Sequence, residues 1–337
     1  MHHFHGLVVG VTLLLGAASA GAAPVTYAQE ATPARASDTA APAATGDSAG
    51  LVDIGGGRRL YLECAGQGSP TVLLEAGYRS PATVWTDDLV QPDDPRTMVF
   101  AGVARFTRVC VYERPGAAAV VGDVLQTSRS DPVPMPRTAE SVVADLHALL
   151  KAAAVPGPFV LVGHSLGGLF VRLYASTYPD EVVGLVLVDA WSEGTKELLT
   201  PEQWEAYVRF NSVVPPEMAD DATYETLDFA AASEAMATAA AALPLPALPL
   251  VVLAHGEPFG VPASGLGFPP EVLETAWRTA QEQLARLVPD GRFVIAEKSA
   301  HYIQLQEPEL VIAAVQQVVE AVRDPSTWAT PQATPSV

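Results

Sequence analysis

The chain has 337 residues, a net charge of −19, and 49% hydrophobic against 17% charged residues. That is enough apolar material for a large core and excludes a globally disordered chain, while the acidic balance argues against nucleic acid as a partner, because its phosphates must be neutralised by Lys and Arg. Two cysteines in a chain this long exclude a disulfide-rich small scaffold and a cysteine-based zinc cluster, and no run reaches the roughly 20 apolar residues of an internal membrane span.

Residues 1–23 read as an export leader. The apolar run "LVVGVTLLL" from Leu7 is followed by small residues that allow cleavage after Ala20 or Ala23, although His2, His3 and His5 stand where Lys or Arg is usual. Residues 24–50 are mostly Ala, Thr, Pro, Ser and Asp with almost no large apolar residue. Such a segment cannot bury enough surface to order itself, and it reads as a disordered linker. The tail 324–337, "DPSTWATPQATPSV", has the same character. One folded body, 51–323, remains.

In that body, short apolar runs alternate with helical patterns. The strand candidates are "LVDI" at Leu51, "RRLYLEC" at Arg58, "TVLLE" at Thr71, "RVCVY" at Arg108, "FVLVG" at Phe159, "GLVLVD" at Gly184, "LVVLA" at Leu250 and "RFVIA" at Arg292. The first two alternate apolar with polar residues and predict an antiparallel hairpin at one edge. The later ones are near-continuous Val and Leu, the pattern of parallel strands buried on both faces. Helices are expected over 138–154, with Thr138 as N-cap, and over 166–178, 271–288 and 309–322. Residues 191–248 separate two strands by far more than a crossover needs, which predicts an inserted helical lid.

The chemistry concentrates in "VLVGHSLGG" from Val160. A buried strand runs into Gly163, His164, Ser165, Leu166 and Gly167, and a helix follows at once. This is the G-x-S-x-G pattern in a strand–turn–helix context. A sharp turn of this kind strains the serine backbone, and flanking glycines allow close backbone approach. The Ser165 hydroxyl is then lifted above the sheet at a helix N-terminus.

On these residues the body resembles the α/β-hydrolase family, in particular its serine esterase and lipase-like branch. The resemblance implies an eight-stranded, mostly parallel sheet with helices on both faces and a helical lid after the sixth strand. It also implies the chain order nucleophile, acid, histidine. His147 comes too early, and His164 lies inside the elbow, where it cannot accept a proton from its own neighbour. His301, in the loop after the last strand, is the expected general base, leaving His255 structural or cleft-lining. Many members carry the acid after the seventh strand, but that position holds Phe259. Asp189 at the end of the sixth strand is therefore the candidate acid, with Glu257 and Glu193 as alternatives.

The family pattern makes the Leu166 and Tyr78 backbone N–H groups the oxyanion donors. Here "LLEAGYRS" has Ala76 where a His is common. The turn "VYERPG" has Glu113 in place of the usual Asp, and Ala117 to Val120 in place of later Gly and Ser. Cys64 and Cys110 fall on strands that are neighbours in this family, which implies a disulfide. The leader implies export, and the resemblance further implies an enzyme cleaving small-molecule carboxylic esters without metal or cofactor; a monomer or homodimer is expected. A proline iminopeptidase-like amide cleaver is the rival, using the acidic stretch 217–225 to grip an amine, although that stretch reads first as a solvated charge run. A catalytically inactive binding protein on the same fold is the remaining alternative.

Overall fold

The computed structural model describes residues 47–121, 124–242, 244–261 and 263–329. The leader, most of the expected linker and the end of the tail lie outside the described residues. Among these residues ten strands follow in chain order: β1 (Ser48–Asp53), β2 (Arg59–Ala65), β3 (Thr71–Glu75), β4 (Val109–Tyr112), β5 (Ala118–Val121), β6 (Val124–Thr127), β7 (Phe159–His164), β8 (Val182–Val188), β9 (Leu250–His255) and β10 (Arg292–Ala296). Eight form one sheet in the order β1-β2-β4-β3-β7-β8-β9-β10. β2 is antiparallel to both its neighbours, and from β4 to β10 every pairing is parallel.

Because side chains alternate across a strand, the continuous apolar runs supply two cores. Leu73, Leu161, Leu185, Leu187, Leu250 and Val252 face one side, while Val72, Leu74, Val160, Val162, Val186 and Val188 face the other. The first face is covered by α1 (Ala139–Ala152), α2 (Leu166–Thr177) and α5 (Pro270–Ala285), and the inserted helices α3 (Pro201–Ser212) and α4 (Phe229–Ala242) add side chains to the same core. The second is covered by the short helix Val99–Val103 and by α6 (Pro308–Arg323). α6 buries Val311, Ala314, Val315, Val318 and Val319 at the i, i+3, i+4 spacing of one helical face. The Thr138 hydroxyl accepts from the Ser141 N–H, capping α1 as expected. Among the described residues no helix is long and apolar enough to cross a membrane.

Several expectations need correction. Ser48 to Gly50, assigned to the linker, already pair with Cys64, Glu63 and Leu62 in β1–β2. Backbone hydrogen bonding to the longer β2 extends the strand regardless of the small side chains there. The tail does not begin disordered: Ser326–Ala329 is helical, and the Trp328 ring lies 3.9 Å under the Arg292 guanidinium, an aromatic–cation contact that anchors it. β10 is not buried on both faces. It is the sheet edge, and most of its residues are only partly covered. The β5–β6 hairpin is an addition, in the stretch where Ala117 to Val120 depart from the family turn. Its signal was present: Val120-Val121 and Val124-Leu125 flank the turn-forming pair Gly122-Asp123.

Cys64 and Cys110 stand opposite each other in the β2–β4 register and are joined by a disulfide. Residues 191–248 hold α3, α4 and two shorter helical turns. Trp191, Trp204, Tyr207, Phe229 and Met236 from this insertion share the core of α1 and α2.

Candidate active site

The C-terminal ends of the parallel strands carry the site, as is usual in open α/β sheets. β7 is central, flanked by β3 and β8, and Ser165 follows it directly at φ 51°, ψ −125°, outside the ordinary regions for an L-residue. The turn is tight because a Cβ on Gly163 would lie 2.6 Å from the Gly167 carbonyl oxygen. It is held by hydrogen bonds from Ser165 N–H to Val188 O (3.1 Å) and from Gly168 and Trp191 N–H to Ser165 O (2.9 and 2.7 Å).

His301 reaches this serine from the loop between β10 and α6. Its Nε2 lies 2.9 Å from Ser165 Oγ and its Nδ1 2.6 Å from Asp189 Oδ2. Asp189 follows β8, is fully buried, and sits at φ 43° with its N–H donating to Leu253 O. Asp tolerates that left-handed conformation better than most side chains. Burial disfavours its charge, but hydrogen bonds from His255 and His301 outweigh the penalty and hold its carboxyl well below the usual carboxylate range. The Phe259 and Trp277 rings stand edge-on to the His301 ring at 5.2 and 5.6 Å and shield it from solvent.

The alternatives for the acid lie elsewhere. Glu193 is paired with Arg172 at 2.7 Å, and Glu257 points to solvent. His147 stacks on Tyr178 at 3.9 Å, beside Glu181. His164 is buried in the elbow with Nε2 2.9 Å from the His301 carbonyl oxygen. A carbonyl can only accept, so Nε2 carries the proton and Nδ1 does not. Burial, followed by the nearby His301, lowers the His164 pKa to about 3 and keeps the ring neutral.

The loop after β3 closes the other side of Ser165. A Cβ on Gly77 would lie 2.8 Å from His164 Nδ1 and 3.1 Å from Ser165 Cβ, so only glycine brings this backbone so near. Neither the Tyr78 N–H, next along, nor the Leu166 N–H donates to another group among the described residues. Arg114 from the "ERPG" turn holds the loop. Its guanidinium donates to Ala76 O (2.8 Å), Gly77 O (2.6 Å), both Glu225 carboxylate oxygens (2.6 and 3.0 Å) and Glu75. Glu225 also accepts from the Arg79 N–H. The Arg79 guanidinium lies between the Tyr78 and Tyr224 rings, 4.5 Å from each. Glu225 is thus buried in an ion network rather than part of a solvated charge run.

Sequence reasoning missed Arg114, Glu75 and Glu274 as site-supporting residues. Charged residues inside apolar runs, as in "TVLLEAG", were the available signal, since buried charge requires a partner. Glu113, in place of the usual Asp, accepts from Arg129 N–H and its guanidinium. Among the described residues no group of three or more His, Cys, Asp or Glu is arranged to hold a metal ion.

Comparison with known proteins agrees with this architecture. Residues 110–243 match the sequence profile described as alpha/beta hydrolase fold. A pimeloyl-[acyl-carrier protein] methyl ester esterase from Chromobacterium violaceum is 34% identical over 213 residues, covering 61% of this chain and 70% of that one. Four relatives from Hormonema carpetanum, Schizosaccharomyces pombe and Saccharomyces cerevisiae are 30–34% identical over 129–154 residues, and the chain spans only 17–27% of their length. Among solved structures, mouse alpha/beta hydrolase domain-containing protein 10 superposes with a TM-score of 0.54 at 16% identity, covering 82% of this chain and 99% of that one. The haloalkane dehalogenase DatA from Agrobacterium tumefaciens does so at 0.55 and 14%, covering 82% and 97%. At such identities these two speak for the fold alone. Together, the sheet order, the strand–turn–helix at Ser165 and the relatedness to the Chromobacterium esterase establish that the chain belongs to the α/β-hydrolase fold family.

Proposed function

We propose that the protein is a serine hydrolase that cleaves carboxylic esters through a covalent acyl-enzyme. The observation that carries this reading is the unbroken hydrogen-bonded line from Ser165 Oγ through His301 to the buried Asp189. In the first half-reaction Ser165 Oγ attacks the ester carbonyl carbon while His301 Nε2 takes the hydroxyl proton. Asp189 holds the ring in the required tautomer and stabilises the imidazolium. The Leu166 and Tyr78 N–H groups receive the carbonyl oxygen as it becomes an oxyanion. Collapse expels the alcohol, which leaves with the proton from His301. Water then repeats the cycle on the acyl-enzyme, releasing the acid and restoring Ser165. This sequence needs no metal or cofactor.

Ester is favoured over amide because Glu225, the buried acid of the 217–225 stretch, is already held by Arg114 and Arg79 and so is not free to grip a substrate amine. The esterase relative from Chromobacterium points the same way. Helices α3 and α4 belong to the lid of this reading. Export is part of it as well, supported by the apolar leader and by a disulfide of the kind that persists in oxidising compartments.

The test is labelling with a fluorophosphonate probe together with hydrolysis of p-nitrophenyl esters of graded acyl length. Wild type should label and turn over, and Ser165→Ala should do neither. Labelling that persists in Ser165→Ala would refute the assignment.

A further inference from the structure

Asp189 serves two histidines. His301 Nδ1 takes one carboxylate oxygen at 2.6 Å, while His255, at the end of β9, takes both through Nδ1 at 2.9 Å each and one again through its backbone N–H at 3.2 Å. The opposite nitrogen of the same ring, Nε2, lies 2.9 Å from Glu274 Oε2 on α5. The other Glu274 oxygen accepts from the Phe259 N–H at 2.8 Å, so Glu274 is locked in place. Arg278, one turn along α5, donates to the His255 carbonyl oxygen at 2.6 Å.

We propose that His255 is a positioning residue, an imidazolium clamped between Asp189 and Glu274 that fixes the Asp189 carboxylate and moderates its pull on the His301 proton. The inference rests on the Ser165–His301–Asp189 reading above. Its basis is donor counting. An ionised carboxylate only accepts hydrogen bonds, so a ring with a carboxylate oxygen against each nitrogen donates from both. A ring that donates from both nitrogens carries a positive charge. The titratable and charged groups packed around it are Asp189 at the end of β8, Glu274 and Arg278 on α5, and His301 beyond β10; Glu257 on its own loop and Glu297, whose backbone packs on Gly256, are exposed. Only the two clamping carboxylates meet the ring nitrogens. Burial disfavours the cation, but those two hydrogen bonds outweigh it and lift the His255 pKa to about 9.

A positive charge on the far side of Asp189 leaves that carboxylate less negative towards His301. Without it, an imidazolium formed on His301 would face a fuller negative charge, and the acid limb of the kcat/KM–pH profile, which reports the free enzyme's base, would move up. A charge in direct contact shifts a titration by 1–3 units, so one acting across the intervening Asp189 should move the limb by about one unit.

The experiment measures kcat/KM against pH on p-nitrophenyl acetate with the full chain, for wild type, His255→Gln, Glu274→Gln and the double variant. His255→Gln should move the acid limb upward by about one unit; Glu274→Gln, which unclamps the cation but also deletes an anion, should move it upward by less, and the double variant should not exceed His255→Gln. A limb unmoved in both singles overturns the proposal, even if melting temperatures fall. Should His255→Gln not fold, Glu274→Gln, at a more exposed position, decides alone. Long-range ¹⁵N–¹H NMR on histidine-labelled Ser165→Ala protein gives a readout independent of catalysis. Two protonated ring nitrogens on His255 at neutral pH are expected, and a neutral tautomer overturns the proposal. If fluorophosphonate labelling instead proves independent of Ser165, the serine-hydrolase reading falls while the NMR result stands, so the two failures are distinguishable.

Discussion

Replacing Arg114 with Met would test the loop that carries the Tyr78 amide. Methionine keeps the apolar stem of the side chain and removes the guanidinium. The Arg114 side chain is 1% exposed, and its partners Glu75 and Glu225 are 0% and 4% exposed. Removing one partner of a buried ion pair costs roughly 3–5 kcal/mol because the remaining charge is uncompensated. Here two carboxylates and the carbonyls of Ala76 and Gly77 lose their donor together, so about 4 kcal/mol is a working value. At roughly 2–4 °C per kcal/mol for a domain of this size, the melting temperature should fall by about 8–16 °C. The deficit should shrink on acidification, since an unpaired buried carboxylate takes up a proton more readily than a paired one. Turnover should fall by about 10²–10³, the usual effect of losing one oxyanion donor, as the loop loses its anchor. Thermal melts at several pH values and p-nitrophenyl acetate kinetics read both effects. A variant that melts within about 2 °C of wild type, less than 1 kcal/mol of change, would refute the argument.

Other expectations are as specific. Asp189→Asn should lower kcat by about 10⁴ with the fold retained, since His301 would lose the acceptor that sets its tautomer; the assay is ester hydrolysis, and an equal loss in Glu257→Gln with Asp189→Asn active would reassign the acid. His255 titrates near 9 when folded against 6.5 for a free side chain. Its folded pKa is the raised one, so its stabilisation is complete below pH 6.5 and lost as pH rises through 9, about 3 kcal/mol in all. Urea unfolding at the two ends of that window should show the loss in wild type and not in His255→Gln. The disulfide closes a sequence separation of 46, which in the loop-entropy account contributes about 4 kcal/mol. A Cys64→Ser, Cys110→Ser variant should unfold at clearly lower urea, and an unchanged midpoint would discount that contribution.

The sheet was largely legible because its strands are self-declaring. Residues such as Val160 to Val162 are apolar on both faces, and only burial between two helical layers makes that pattern stable. The Ser165 elbow was legible for a related reason: Gly163 and Gly167 are demanded by local backbone contacts. The start of β1 was less so, because Ser48 to Gly50 are recruited by pairing with β2 and not by their own side chains.

By itself, then, the sequence determined the local quantities: which segments are strand or helix, where the chain turns sharply, and which serine that turn presents. It also narrowed the histidine to His301, through chain order within a resembled family. Only the tertiary structure decided who shares a charge with whom. Arg114, Glu75 and Glu225 are far apart in the chain, as are Asp189, His255 and Glu274, and each trio is a unit because burial forces every charge to find a partner in space. Such partnerships have no period and no fixed spacing, so nothing along the chain announces them.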